Sequence, residues 1–310
     1  MLETTKPIYR AAIHAAAQID LAALAVGELE RSVAFYTQAV GLSILQQGNT
    51  HVTLGTGETL LLVLREESRT VPRPPYTTGL THLVFRVPRR NDLAAAVRRL
   101  NRCSCPIQGV ADHLVSEAIY LTDPDGNGIA IAWDRPRRLW AWCHGQLRMG
   151  MFALDLQQLL TEQRDEPSAG PPQLTLGSMH LHVTNLEQAA SFYCSTLGFD
   201  VMWQTSDALF VAAGGYHHHL GLFTWDRRDA PAPPQNAVGL RVFTLRLPDP
   251  TEQALVVARL QTAELAYQEY PYGVIVHDPW NHALLLTTAT PVEVEQALAE
   301  TLPFDRATDS

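Results

Sequence analysis

The chain has 310 residues, of which 46% are apolar and 18% charged, and its net charge is −9. That length suits two ordinary domains with a real core. The acidic balance excludes a nucleic-acid partner, which needs a concentrated basic face. The opening stretch MLETTKPIYR has no apolar run behind a basic end, and Ala11 to Val26 is interrupted by His14, Gln18 and Asp20. No secretory signal and no membrane span are expected. Cys103, Cys105, Cys143 and Cys194 are scattered and lack zinc-finger spacing. They read as thiols of a reducing compartment, and the expected location is cytoplasmic.

In chain order, a short apolar strand is predicted at 21–26 and a helix at 29–40 with Phe35 and Tyr36 on its apolar face. Strands follow at 52–54 and 60–64, around Gly55-Thr56-Gly57. The order then repeats, with a strand at 83–87, a helix at 92–100 and strands at 118–121 and 129–133. The last two flank the turn Asp123-Pro124-Asp125-Gly126-Asn127.

The second half repeats the first. Phe35-Tyr36 recurs as Phe192-Tyr193 and Gly41 as Gly198, both 157 residues later. Gly79-Leu80 recurs as Gly239-Leu240 after 160 residues, and Asp123-Pro124 as Asp278-Pro279 after 155. Helices are therefore also expected at 186–196 and 252–261. The chain divides into four βαβββ modules of an α+β fold. The expected domains are residues 1–161 and 173–310, joined by a linker at 162–172, with each half closing its own cupped, mainly antiparallel sheet.

Four such modules resemble the vicinal-oxygen-chelate superfamily, which includes glyoxalase I, bleomycin-resistance proteins and extradiol dioxygenases. Several stretches are most similar to the bacterial catechol 2,3-dioxygenase subgroup. They are 111–121 (ADHLVSEAIYL), 123–129 (DPDGNGI), Asp134-Arg135-Pro136 and Gly214-Gly215-Tyr216-His217-His218-His219. The resemblance covers residues 18–289 and implies a metal held by two histidines and a glutamate, with open positions for a catechol and dioxygen. Carried over, the ligand positions of the C-terminal half fall on Ser178, Val242 and Leu285. Those of the N-terminal half fall on Leu21, His82 and Ala130. Only His82 is a family ligand, so no metal cofactor is expected. Fe(II) or Mn(II) would enter only if these assignments were misplaced.

Alternation along a strand puts His180 on the face of Ser178. The same rule, applied to the run 217–219, points His218 into the cup and turns His217 and His219 away. Three readings of these histidines stay open. They are inherited and structurally satisfied, or they are polar handles in a ligand pocket, or His180 and His218 with a third donor make a relocated metal site. Trp280 either covers a flat ligand or merely packs, and Tyr270 lies near the same closing strands. His113 and Glu117 are expected to form a structural polar cluster.

The expected function is binding of a small apolar, aromatic or conjugated molecule in the C-terminal cup. The predicted contacts are Ser178, His180, His218, Val242, Leu285, Tyr270 and Trp280. The rival readings are an active extradiol dioxygenase, a metal-free enzyme with His218 as general base, and a structural partner without ligand. Homo-oligomerisation is left open.

Overall fold

The structure, a computed structural model, describes residues 12–143, 146–161, 173–224 and 229–301. The predicted linker lies outside the described residues. All four modules are present. The first holds β1 (Ala22–Val26), helix α1 (Leu29–Phe35) running on as a π-helical turn over Tyr36–Val40, then β2 (Ser43–Gln47), β3 (His51–Thr56) and β4 (Thr59–Glu66). The second holds β5 (Gly79–Val87), α2 (Arg90–Arg102), β6 (Gly109–Asp112), β7 (Ser116–Thr122) and β8 (Gly128–Asp134). A small hairpin, β9 (Trp142–Cys143) and β10 (Gln146–Leu147), and helix α3 (Leu156–Thr161) follow.

The third module holds β11 (Thr175–His182), α4 (Leu186–Ala189) with its π-helical extension Ala190–Thr196, β12 (Asp200–Gln204), β13 (Ala208–Ala212) and β14 (Leu220–Phe223). The fourth holds β15 (Gly239–Arg246), α5 (Pro250–Thr262), β16 (Tyr267–Tyr270), β17 (Gly273–His277), β18 (Ala283–Thr287) and the closing helix α6 (Pro291–Thr301). The four long predicted helices are all there. The strands β2 and β6, which the sequence pattern left out, are edge strands with no strict alternation of buried residues.

Two eight-stranded sheets result, but the modules pair across the halves. One sheet runs β16-β17-β18-β15-β1-β4-β3-β2 and the other β12-β13-β14-β11-β5-β8-β7-β6. Module 1 thus joins module 4, and module 2 joins module 3. This corrects the expectation that each half closes its own cup. The seams are antiparallel pairs of first strands, β1 with β15 and β5 with β11. Each module leaves its first strand as an edge that must be covered. Any apolar first strand can serve that purpose, so the choice of partner is a tertiary decision.

Alternation divides each first strand between two environments. Ala22, Leu24 and Val26 of β1, Leu83, Phe85 and Val87 of β5, and Met179 and Leu181 of β11 enter one continuous core beneath the helices. The fully buried Tyr36, Tyr193 and Phe243 belong to it. The alternate residues face the concave side of each sheet.

Candidate functional site

The two concave faces differ. In the sheet of modules 1 and 4, Leu21, Ala23, Leu60, Val63, Val242, Ile275 and Leu285 form an apolar cluster, and α6 lays the fully buried Val294 into it. Tyr270 packs against this cluster and stacks on Tyr272 with ring centroids 5.5 Å apart. Trp280 lies in the β17–β18 turn, donates from Nε1 to Thr184 Oγ1 at 2.7 Å, and belongs to the common core. Val242, Leu285, Tyr270 and Trp280 are therefore apart from Ser178, His180 and His218, contrary to the expected grouping.

In the sheet of modules 2 and 3, the concave face surrounds a cavity of about 490 Å³. That lies within the range of small-molecule sites, roughly 300–1,000 Å³. Strand register assembles its floor. His82 on β5 is the cross-strand partner of His180 on β11, and Val84 is the partner of both Ser178 on β11 and Ala130 on β8. Hence Ser178, His82 and Ala130 meet in one cavity, whereas Leu21, Val242 and Leu285 meet in the filled cup. The six positions regroup because each set draws on the first and last strands of modules, and the modules exchange partners.

Gly221 on β14 faces His180 across the strand pair. A Cβ there would stand 2.9 Å from His180 Cδ2 and 3.0 Å from the Phe223 ring, so glycine makes room for both rings. Phe210 and Phe223 pack edge-on to His180, and Trp203, Ala118 and Ala132 extend the apolar wall.

Residues 217–219 lie in the connection between β13 and β14 rather than in a strand. Strand alternation does not apply there. His217 and His218 both line the cavity, while His219 lines a second cavity of about 310 Å³ with Arg86 and Arg137, which corrects the predicted separation of His218 from both neighbours. His217 Nε2 lies 2.9 Å from Asp134 Oδ1 and its Nδ1 lies 2.8 Å from His218 Nδ1. His218 Nε2 lies 2.9 Å from His180 Nε2 and 3.4 Å from Ser178 Oγ.

Asp134 also accepts from Tyr216 Oη at 2.8 Å and from Arg86 Nη1 at 3.3 Å. Burial pushes its carboxyl up, but His217, Arg86 and Tyr216 together hold it below the usual carboxylate range. Burial, reinforced by the neighbouring histidines, drives His180 and His218 well below the ordinary imidazole value. His82 is pushed down by burial to about 4, and its buried Nδ1 has no hydrogen-bond partner among the described residues. The centre of the cavity is therefore neutral at pH 7.

On another wall, His113 Nδ1 donates to Gly150 O at 2.8 Å, which leaves its Nε2 to accept from Tyr120 Oη at 2.6 Å. His113 thus lines the cavity. Glu117 points elsewhere and is held by Arg90 and Arg135 at 2.7 and 2.8 Å. The expected His113–Glu117 cluster divides into two, because His113 lies in the turn between β6 and β7, where Leu114 at φ 69° interrupts the strand alternation that would have put both on one face. Sequence reasoning passed over Asp134, His217, Tyr120, Phe210 and Phe223. Asp134 and His217 stand inside stretches that carry the family resemblance, which was the available signal.

The donor set does not fit the resident ion that the resemblance implies. Fe(II) or Mn(II) of this type needs carboxylate and imidazole together. Here a methyl group stands at Ala130 and a hydroxyl at Ser178. The relocated alternative brings His180 and His218 together at 2.9 Å with the Ser178 hydroxyl beside them, but no third donor among the described residues completes a site with them. Among the described residues, no group of three or more His, Cys, Asp or Glu side chains could hold a metal ion.

Comparison with known proteins agrees with the architecture. The family model described as Glyoxalase/Bleomycin resistance protein/Dioxygenase superfamily matches residues 18–131 and 175–286. A catechol-2,3-dioxygenase of Bacillus subtilis (strain 168) is 40% identical over 279 residues, covering 88% of this chain and 98% of the relative. A crystal structure of a putative dioxygenase from Bacillus subtilis subsp. subtilis str. 168 superposes with a TM-score of 0.65 at 11% identity, over 94% of this chain and 92% of that one. Glyoxalase I from Zea mays superposes with a TM-score of 0.56 at 14% identity, over 93% of this chain and 98% of that one. At such identities the two structures speak for the fold alone.

Proposed function

Because the chain belongs to the glyoxalase/bleomycin-resistance/dioxygenase superfamily and is catechol 2,3-dioxygenase-like, yet carries Ser178 and Ala130 beside His82 in the regrouped set that lines the open cavity, we propose that it binds a small aromatic or conjugated molecule in the module 2–module 3 cavity without the family's iron. The observation that carries this reading is the meeting of Ser178, His82 and Ala130 on the floor of a 490 Å³ cavity. Phe210, Phe223, Trp203 and the alanines supply flat apolar walls, and His180, His218 and Tyr120 supply a few polar contacts. Burying a carboxylate without its cation would cost several kcal/mol, so alanine at 130 is coherent with loss of the ion.

The same reading makes it a cytoplasmic protein, since none of its four cysteines is in a disulfide. Among the described residues, no helix is long and apolar enough to cross a membrane, which says nothing of spanning by strands.

The test uses catechol as probe, on protein treated with chelator and on protein supplied with Fe(II). Saturable quenching of tryptophan fluorescence under chelation, with no ring-cleavage product in either sample, supports the reading. Stoichiometric iron together with ring-cleavage product would replace it by an active extradiol dioxygenase. No binding in either sample would leave the structural-partner reading.

A further inference from the structure

The second cavity, of about 310 Å³, lies where the two sheets meet. The module 1–module 4 sheet contributes Leu61 of β4 and Arg246 of β15, with Ile19 and Asp20 from the segment before β1. The module 2–module 3 sheet contributes Arg86 of β5 and Leu176 and Gly177 of β11, and Arg137 comes from the short helical turn after β8. Arg86 and Tyr216 line this cavity and the aromatic one; its other lining residues are its own. Gly177 keeps it open. The β5–β11 register shifts there, and a Cβ would stand 3.2 Å from Arg86 Cβ and 3.7 Å from Tyr216 Oη.

The three guanidinium groups are held in place but not saturated. Arg86 Nη1 lies 3.3 Å from Asp134 Oδ2 and its Nε donates to Thr175 Oγ1 at 3.3 Å, while its Nη2 has no acceptor among the described residues. Arg246 pairs with Asp20 through Nε. Arg137 Nη1 donates to Gly214 O at 3.1 Å, and its guanidinium carbon lies 5.5 Å from the Trp140 ring centroid and 6.0 Å from that of Tyr216. These contacts orient the Arg137 fork, yet no carboxylate pairs with it among the described residues. Three guanidinium groups set against the carboxylates of Asp20 and Asp134 leave one positive charge, in a chain whose net charge is −9. His219 adds a donor. The Ala213 backbone N–H donates to its Nδ1 at 3.2 Å, so the ring proton sits on Nε2. The residue is only 8% exposed, and that Nε2 has no partner among the described residues.

We propose that this cavity binds a small aliphatic monocarboxylate, independently of what the aromatic cavity holds. One negative charge matches the one unpaired guanidinium, and the two oxygens of a carboxylate match its planar fork. A dianionic phosphate would leave a negative charge unmatched. The His219 N–H offers a further contact, and Ile19, Leu61 and Leu176 supply an apolar wall for a short hydrocarbon body.

The probe is 4-methylpentanoate, titrated into the full chain at pH 8 and followed by saturation-transfer NMR. Its neutral amide, 4-methylpentanamide, and inorganic phosphate are titrated in parallel. The expected result is saturable binding of the carboxylate, with the amide and phosphate each weaker by about 10-fold or more. Arg137→Gln should weaken carboxylate binding by about 10-fold or more, the scale of one lost charge-assisted hydrogen bond. Arg138→Gln, at the exposed neighbour outside the cavity, removes the same net charge and should leave the affinity unchanged. Melting curves check the fold of both variants. If Arg137→Gln is not folded, Arg137→Lys, which keeps the charge but not the fork, is read by the same criteria. No saturable carboxylate binding, equal loss in the two variants, or amide or phosphate binding as tight as the carboxylate overturns the proposal. Catechol binding, measured separately, judges the aromatic cavity in every case.

Discussion

Tyr193 Oη donates a 2.8 Å hydrogen bond to Asp278 Oδ2, and Tyr36 makes the same 2.8 Å bond to Asp123 in the other half. The two motifs that repeat in the sequence, Phe-Tyr and Asp-Pro, are thus partners in space. They tie module 3 to module 4 and module 1 to module 2, although the sheets pair the modules otherwise. Burial pushes Asp278 up, but His282 and its hydrogen bonds outweigh this and keep it below the ordinary range. A hydrogen bond to a charged group contributes about 1.5–3 kcal/mol. Tyr193→Phe should destabilise the fold by that amount in urea unfolding. A change under about 0.5 kcal/mol, the range of an unremarkable surface substitution, would deny the bond that role.

Stability should fall on acidification. His82 and His219 are each pushed by burial from an ordinary value of 6.5 to about 4. The unfolded chain then binds more protons than the folded one between those values. The stabilisation is complete above pH 6.5 and is lost as pH falls toward 4. A shift of that size corresponds to about 3 kcal/mol per group. Urea midpoints measured at pH 7 and pH 5 should show the loss, and His82→Asn should reduce it. Equal midpoints would contradict the burial of neutral rings.

The regrouping of ligand positions can be tested by restoring donors. Ser178→His with Ala130→Glu places two imidazoles and a carboxylate around the His82 site, so the double variant should bind about one Fe(II) per chain. Val242→His with Leu285→Glu puts polar groups into the cluster sealed by Val294. That pair should destabilise the protein by several kcal/mol and bind no iron. Metal analysis after dialysis, with melting curves, compares the two variants. Absence of iron from the first variant in a folded protein would deny that Ser178, His82 and Ala130 share one site.

Gly221→Ala would bring a methyl group against His180 and Phe223. Overpacking of this kind costs typically about 1–3 kcal/mol. The expected outcome is a lower melting temperature together with weaker binding of aromatic probes. An unchanged melting temperature and affinity would show that the His180 ring moves aside freely.

The sequence by itself determined the four modules. Their helices follow from apolar spacing such as Leu93, Ala96, Val97 and Leu100 on α2. Their strands follow from alternation, and their turns from Asp123-Pro124 and its repeat, all of which act over a few residues. Through the family resemblance it also placed six expected ligand positions, of which only position 82 is a histidine. What it could not determine was which module lies beside which. The first strands β1, β5, β11 and β15 all send an apolar alternate set into the core and all leave an edge to cover, so local pattern does not choose between them. That choice brought Ser178, His82 and Ala130 into one cavity and sent Val242 and Leu285 into a filled cup. It also brought Asp134, at the end of β8, to His217, 83 residues away in the chain. Because 217–219 is a loop, its side-chain directions were set by contacts with Asp134, Tyr216 and His180 rather than by strand periodicity. Tertiary packing therefore decided the polar chain at the cavity, since hydrogen bonds between distant residues leave no periodic trace in sequence.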